Sequence, residues 1–116
     1  MLAGRYNMVC DQGSTFQRNI EIKDMAGLTY SLAGFTARMQ IRREVDTTAV
    51  MLELTTTNGR LTIFPTAGTI QINLTPTLTS SLTRSGVYDL EIVKTATNEV
   101  YKVLRGEFRL EKEVTR

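Results

Sequence analysis

The fold is decided by Gly86-Val-Tyr-Asp-Leu-Glu-Ile92, followed by Val100-Tyr-Lys-Val-Leu-Arg-Gly-Glu-Phe-Arg-Leu110. In the first segment Tyr88, Leu90 and Ile92 share one face and alternate with residues on the other. Such alternation is typical of a strand with one face on a core. The short polar segment between the two stretches predicts a turn, so together they predict a β-hairpin with Tyr88, Leu90 and Ile92 buried.

The same period of two recurs along the chain. It appears at residues 16–22, 35–42, 50–54, 61–64 and 70–74, with a shorter extended piece at 28–32. Asn58-Gly59 predicts a hairpin with a type I′ turn, and Pro65 should end the strand that follows. The 18 threonines also favour strands. About seven or eight short strands predict an all-β domain, either a sandwich or a small barrel.

One short helix is expected near residues 75–83. Thr75 can cap it and Pro76 suits its first position. Leu78 and Leu82 are four residues apart and share a face. The helix can span two turns at most.

Length and charge limit the classes of protein to consider. The 116 residues suit one domain, residues 1–116, and Lys plus Arg exceeds Asp plus Glu by 14 to 12. A net charge of +2 gives little reason to expect a nucleic-acid or membrane partner. The N-terminal residues lack the apolar stretch of a signal peptide, so we expect no export by a secretion route.

The residue types needed for catalysis are scarce. The chain has no histidine and one cysteine, Cys10. Zinc sites and triads that use histidine are therefore excluded, and we expect no enzyme activity, no cofactor, no metal and no small-molecule substrate. Cys10 is interpreted as a small buried hydrophobic residue. The loop Asp11-Gln-Gly-Ser-Thr15 lacks the lysine and second glycine of a phosphate loop, so it predicts a turn.

Charged residues are interleaved in the last hairpin. The carboxylates are Asp89, Glu91, Glu107, Glu111 and Glu113, and the nearby cations are Arg105, Arg109 and Lys112. Opposite charges on the exposed face of paired strands favour cross-strand ion pairs over a calcium or catalytic site. The cations Arg38, Arg42 and Arg43 follow another strand. They indicate a solvated strand face, with phosphate or an acidic neighbouring subunit as the alternative.

Three groups of residues carry a family resemblance. They are Gly13-Ser-Thr-Phe16 leading to Ile20-Glu-Ile-Lys-Asp24, then Leu32-Ala-Gly-Phe-Thr-Ala-Arg-Met-Gln-Ile-Arg42, and finally Gly86 to Ile92 with Leu104-Arg-Gly-Glu-Phe108. Over nearly the whole chain, this pattern resembles the small β-sandwich structural proteins of tailed bacteriophages. It is similar to the N-terminal domain of baseplate upper proteins and to short tail-associated proteins.

The resemblance implies a single immunoglobulin-like or related β-sandwich that serves as a virion part. The expected function is that of a non-enzymatic tail or baseplate adaptor or accessory component. It would be made in the host cytoplasm, be present as a homo-oligomer or in multiple copies per particle, and pack against tail, baseplate or fibre proteins. The alternatives are a capsid decoration or head–tail connector protein and a glycan-binding module for host recognition.

Partner contacts are expected at the two chain ends, 2–9 and 111–116, and along the arginine-bearing strand. The candidate contact residues are Leu2, Arg5, Tyr6, Arg38, Arg42, Arg43, Glu111, Lys112, Glu113 and Arg116. Both ends lie outside the clear hairpins of the sequence. We therefore expect deletion of residues 111–116 to abolish incorporation into particles while the domain still folds.

Overall fold

Short strands account for most of the regular structure. A computed structural model describes residues 4–115. Within that range the elements are, in chain order, β1 (Gly4–Arg5), β2 (Met8–Asp11), β3 (Phe16–Glu21), β4 (Phe35–Arg42), β5 (Leu52–Thr55), β6 (Leu61–Phe64), β7 (Thr69–Leu74), α1 (Pro76–Ser81), β8 (Gly86–Lys94) and β9 (Glu99–Glu111). The predicted closing hairpin is confirmed as β8 and β9.

The strands form two sheets packed face to face. The six-stranded sheet has the order β1-β9-β8-β4-β5, and β2 continues the line of β1 along β9. The three-stranded sheet has the order β3-β7-β6. All pairings are antiparallel except those of β1 and β2 with β9, which are parallel. The predicted all-β sandwich is thus confirmed.

The core lies between the inward faces of the two sheets. Tyr88, Leu90 and Ile92 are buried, as their alternation predicts. The rings of Phe16 and Phe108 meet edge to face across the sheets, with centroids 5.5 Å apart. This geometry is favourable for aromatic pairs and joins the two layers.

The predicted helix is confirmed as α1. The Thr75 hydroxyl accepts a hydrogen bond of 3.3 Å from the Leu78 N–H and caps the first turn. Inside the helix, the buried Thr79 hydroxyl donates to the Ser14 carbonyl at 2.8 Å and accepts from the Gly13 N–H at 3.0 Å. The helix therefore fixes the loop between β2 and β3, which is a turn as predicted.

The hairpin predicted at Asn58-Gly59 is wrong. β5 pairs with β4 and β6 pairs with β7, so the segment between β5 and β6 crosses from one sheet to the other. Gly59 has the positive φ expected of it, but Asn58 does not. The Asn58 side chain instead accepts from the Thr55 N–H at 3.0 Å and donates to the Glu53 carbonyl at 3.0 Å. The dipeptide marks a turn, and the core decides which strands it joins.

The N-terminal segment lies outside the hairpins that the sequence predicts, yet it is paired in a sheet. Its strands β1 and β2 follow β9 in constant register from Gly4↔Leu104 to Asp11↔Glu111. Between them, the Tyr6 N–H donates to the Arg105 carbonyl at 2.9 Å. Gly106 is required at this point, because an added Cβ would clash with the main-chain oxygen of Tyr6. This end of the chain is therefore part of the six-stranded sheet.

Candidate functional site

The outer face of the six-stranded sheet gathers charged side chains from five strands. We call its central part the charged face, which comprises Arg5, Arg38, Arg42, Glu53, Asp89, Glu91, Lys102, Arg105 and Glu107. Strand alternation places them here, since the inward positions on β4 and β8 are apolar and buried. Three of the predicted partner-binding residues, Arg5, Arg38 and Arg42, thereby come together on one surface.

Four of these nine residues form two close ion pairs within the sheet. Arg38 Nη2 lies 2.9 Å from Glu91 Oε2, and Lys102 Nζ lies 3.1 Å from Asp89 Oδ2. The prediction of ion pairs is confirmed for both carboxylates, but their partners come from residues other than the three predicted cations. Glu107 lies at the 4.0 Å limit from Arg109.

Arg42 is held by neutral groups. Its guanidinium donates to the main-chain oxygens of Thr47 and Thr48 at 2.9 and 2.6 Å, and to Gln40 Oε1 at 2.8 Å. Gln40 in turn donates to Glu53 Oε2 at 2.7 Å. These bonds tie β4 to the loop that follows it and to β5, so Arg42 has a local structural role.

Arg5 and Arg105 are the other two cations of the charged face. They are direct neighbours in the parallel register of β1 and β9, and both are exposed. Within residues 4–115, neither guanidinium has a carboxylate within 4.0 Å. Asp89 lies opposite Arg105 on β8, but its carboxylate pairs with Lys102. The two arginines border an open concavity of about 530 Å³, whose wall also includes Val45 and Val87.

The remaining predicted contact residues lie elsewhere. Arg43 is exposed in the loop after β4, and the Tyr6 main-chain oxygen accepts from the Tyr88 hydroxyl at 2.6 Å. The Glu111 carbonyl accepts from the Gln12 N–H at 2.9 Å, and the Glu113 N–H donates to Gln12 Oε1 at 3.1 Å.

Residues 111–113 are therefore attached to the loop after β2. Lys112 is exposed beside them. The predicted contacts Leu2 and Arg116 lie outside the described residues.

Sequence reasoning missed a second surface, the outer face of the three-stranded sheet. Gln17 Nε2 donates to Asn73 Oδ1 at 3.0 Å, and Gln71 Nε2 donates to Asn19 Oδ1 at 2.9 Å. We call these four residues the amide face. The signal is visible in the sequence, since amides alternate with apolar residues in β7, and in β3 they stand two residues apart with Arg18 between them.

Burial changes the acidity of two side chains of the six-stranded sheet. Desolvation, with a smaller contribution from Asp11, raises the pKa of the Cys10 thiol from 9.0 to about 11. Desolvation, together with Tyr6, also raises the pKa of Tyr88 well above its ordinary value of 10.0. A thiol nucleophile needs a lowered pKa, so Cys10 has the properties of a packing residue, as predicted.

Residues 4–115 contain no group of three or more His, Cys, Asp or Glu side chains arranged to hold a metal ion. In the same range, no helix has the length and apolar character required to cross a bilayer.

Comparison with known proteins identifies the architecture. No family model matches the chain, and no curated protein matches it. Among solved structures, it is similar to the NK cell receptor Nkp44, a triggering partner in natural cytotoxicity, with a TM-score of 0.52. The two share 19% sequence identity, over 96% of this chain and 100% of that chain.

The Nkp44 structure is an immunoglobulin-like domain. The fold of this chain is an immunoglobulin-like β-sandwich. Its strand order β9-β8-β4-β5 opposite β3-β7-β6 corresponds to G-F-C-C′ opposite B-E-D in such domains. A total of 148 chains of solved structures match, and an architecture shared this widely does not by itself indicate an activity.

Proposed function

We propose that this chain is a non-enzymatic structural protein of a tailed-bacteriophage virion. In this role it is an adaptor or accessory component of the tail or baseplate, and it acts by packing against other virion proteins. The observation that carries the proposal is the charged face, which borders an open concavity of about 530 Å³. Small-molecule sites are mostly apolar and enclose most of the ligand, whereas an open, charged strand face suits a protein partner. The resemblance of three sequence segments to phage modules supports the virion setting.

The sheet edges offer a second means of assembly. β5 ends the six-stranded sheet, and β3 and β6 end the three-stranded sheet. Edge strands have main-chain groups available for pairing with a strand of another chain. Several copies of the domain in one particle can therefore contact neighbouring proteins through both faces and edges.

The proposal is tested by finding where the protein resides. Purified particles are disrupted, heads and tails are separated on a density gradient, and the protein is quantified in each fraction by mass spectrometry. We expect it in the tail fraction, at a fixed ratio to the other tail proteins. Its presence in the head fraction supports the alternative of a capsid decoration or head–tail connector protein. Its absence from particles contradicts a virion role.

Glycan binding is kept as a second candidate because of three rings at one end of the sandwich. Tyr30, Phe35 and Tyr101 form a row with centroid separations of 6.1 and 6.4 Å, and each ring is partly exposed. The Tyr101 hydroxyl donates to the Glu99 carboxylate, and this bond helps to hold the pKa of Glu99 below its ordinary value.

A glycan array probed with the protein and with a Tyr101→Ala variant tests this candidate. Binding that is lost in the variant supports it, and an array without signal removes it.

A further inference from the structure

Arg5 and Arg105 have no carboxylate partner within residues 4–115. They lie side by side on parallel strands, and like charges in this position destabilise a sheet. The other central cations of the charged face are bonded. Arg38 and Lys102 have carboxylates, and Arg42 has three oxygen acceptors. Unpaired positive charge is therefore concentrated at the β1–β9 side of the concavity.

We propose that Arg5 and Arg105 bind a carboxylate of an extended acidic segment of a partner protein, which lies across the charged face. A guanidinium presents its N–H donors as a fork that matches the two oxygens of a carboxylate. Two neighbouring forks can share one carboxylate or hold two adjacent ones. The charge repulsion that the free protein tolerates is then relieved when the partner binds.

The shape of the concavity indicates how the segment lies. From β1 to β4 there are three strand spacings, or about 14 Å. An extended peptide that crosses this distance uses about four residues. Val87 and the largely exposed Val45 border the same concavity, so the segment gains an apolar contact there. The favoured occupant carries acidic side chains at one end and an apolar side chain about four residues away.

Charge on the same face argues against a nucleic acid. Asp89, Glu91 and Glu107 line the concavity with the arginines and would repel a chain of phosphates. Net charge of +2 is also small for a nucleic-acid-binding domain. A peptide can place its few carboxylates at the arginines alone, whereas a phosphate backbone cannot avoid the acidic positions.

Two-dimensional NMR of the full chain tests whether Arg5 and Arg105 bind a carboxylate. A short peptide with blocked ends, which has two adjacent glutamates and a leucine four residues away among glycines and serines, is titrated into ¹⁵N-labelled protein, and the same peptide with glutamines in place of the glutamates is the neutral control. We expect saturable shifts at the main-chain amides and the Nε–H groups of Arg5 and Arg105. The glutamine peptide should cause none, because it lacks the carboxylates.

The variant Arg105→Gln should weaken the binding of the glutamate peptide by about tenfold. Its matched control is Arg84→Gln, because Arg84 is also exposed and has no ion pair within the described residues. The unfolding midpoint of neither variant should fall below that of the parent protein, so that a loss of binding is not a loss of fold.

Three results would overturn the proposed role of Arg5 and Arg105. The first is equal weakening by Arg84→Gln and Arg105→Gln, which indicates diffuse attraction. The second is equally strong shifts with inorganic phosphate, which indicates a general anion site. The third is dimerisation that Arg105→Gln abolishes in sedimentation experiments, which makes a second copy of this chain the occupant.

The inference rests on the proposed function in that it names the chemistry of the protein partner. The two can nevertheless fail separately. Particle fractionation locates the unaltered protein whichever surface it binds through. The peptide titration does not depend on the presence of the protein in particles.

Discussion

The outer faces of the two sheets cover the same core, yet one is charged and the other is nearly neutral. The three-stranded sheet has a single charged residue, Glu21, in its outward register, beside the cross-strand amide pairs Gln17–Asn73 and Asn19–Gln71. The charged face combines ion pairs with the unpaired Arg5 and Arg105. Amide pairs fix strand register and resist salt, whereas exposed ion pairs contribute little and can exchange partners. The charged face is therefore the better suited of the two to recognise another molecule.

The largest effect is expected from a change that detaches an edge of the six-stranded sheet and leaves the three-stranded sheet intact. In a Gly106→Ala variant the new Cβ would lie 2.9 Å from Asn7 Oδ1 and would clash with the Tyr6 carbonyl. We expect β1 and β2 to detach from β9, with a loss of about 2 kcal/mol or more in the free energy of unfolding. Hydrogen exchange should show lost protection at residues 4–11 and unchanged protection in β3 and β7.

Gly4→Ala is the matched control for this prediction. Its Cβ would first meet the Leu104 side chain at 3.4 Å, which is ordinary packing distance. Its effect on the free energy of unfolding should stay within about 0.5 kcal/mol. Equal stability of the two variants in urea would mean that the close approach at Gly106 does not hold the N-terminal segment.

An intermediate effect is expected at alkaline pH, and it concerns only the six-stranded sheet. The folded-state pKa of Cys10 is raised from 9.0 to about 11, so its contribution to stability is complete below about pH 9. It is lost as the pH rises through about 11, because the unfolded chain releases the proton first. In urea titrations, the stability advantage over a Cys10→Ala variant should shrink by about 2 kcal/mol between about pH 8 and pH 11.

The raised pKa of Tyr88 acts in the same direction above pH 10 and persists in the Cys10→Ala variant. The difference in stability between the parent protein and the Cys10→Ala variant therefore reports on the thiol alone. A difference in the free energy of unfolding that stays constant between about pH 8 and pH 11 would show that the thiol is not protected by burial. Rapid reaction of Cys10 with a thiol reagent in the native protein would lead to the same conclusion.

The smallest effect compares the two faces directly. Gln71→Ala removes an amide pair, and Arg38→Ala removes the 2.9 Å ion pair with Glu91. We expect the amide change to cost about 0.5–1 kcal/mol at any salt concentration. The arginine change should cost less than about 1 kcal/mol at low salt, and the cost should decline at about 0.5 M salt. A cost that is independent of salt for both variants would remove the distinction between the faces.

The strand patterns predict the inward residues well, because alternation depends only on local geometry. Tyr88, Leu90 and Ile92, the helix after Thr75 and the burial of Cys10 are examples. Pairing is harder to predict. Asn58-Gly59 carries the local signal of a hairpin, but the two strands beside it bury their apolar faces in different sheets. The signal describes the turn and carries no information about the more distant strands β7 and β4.

On the charged face too, local patterns predict single residues but not which of them meet. From the sequence, Arg5 is one charge near an end of the chain, and Arg105 is one charge expected to pair within a hairpin. Only the parallel pairing of β1 with β9 places them together, across about one hundred residues of chain. The sequence by itself determined the all-β class, the alternating core and the scarcity of reactive groups, since these follow from residue types and a local period. The tertiary structure decided which strands meet and which charges remain unpaired, since both depend on contacts between distant parts of the chain.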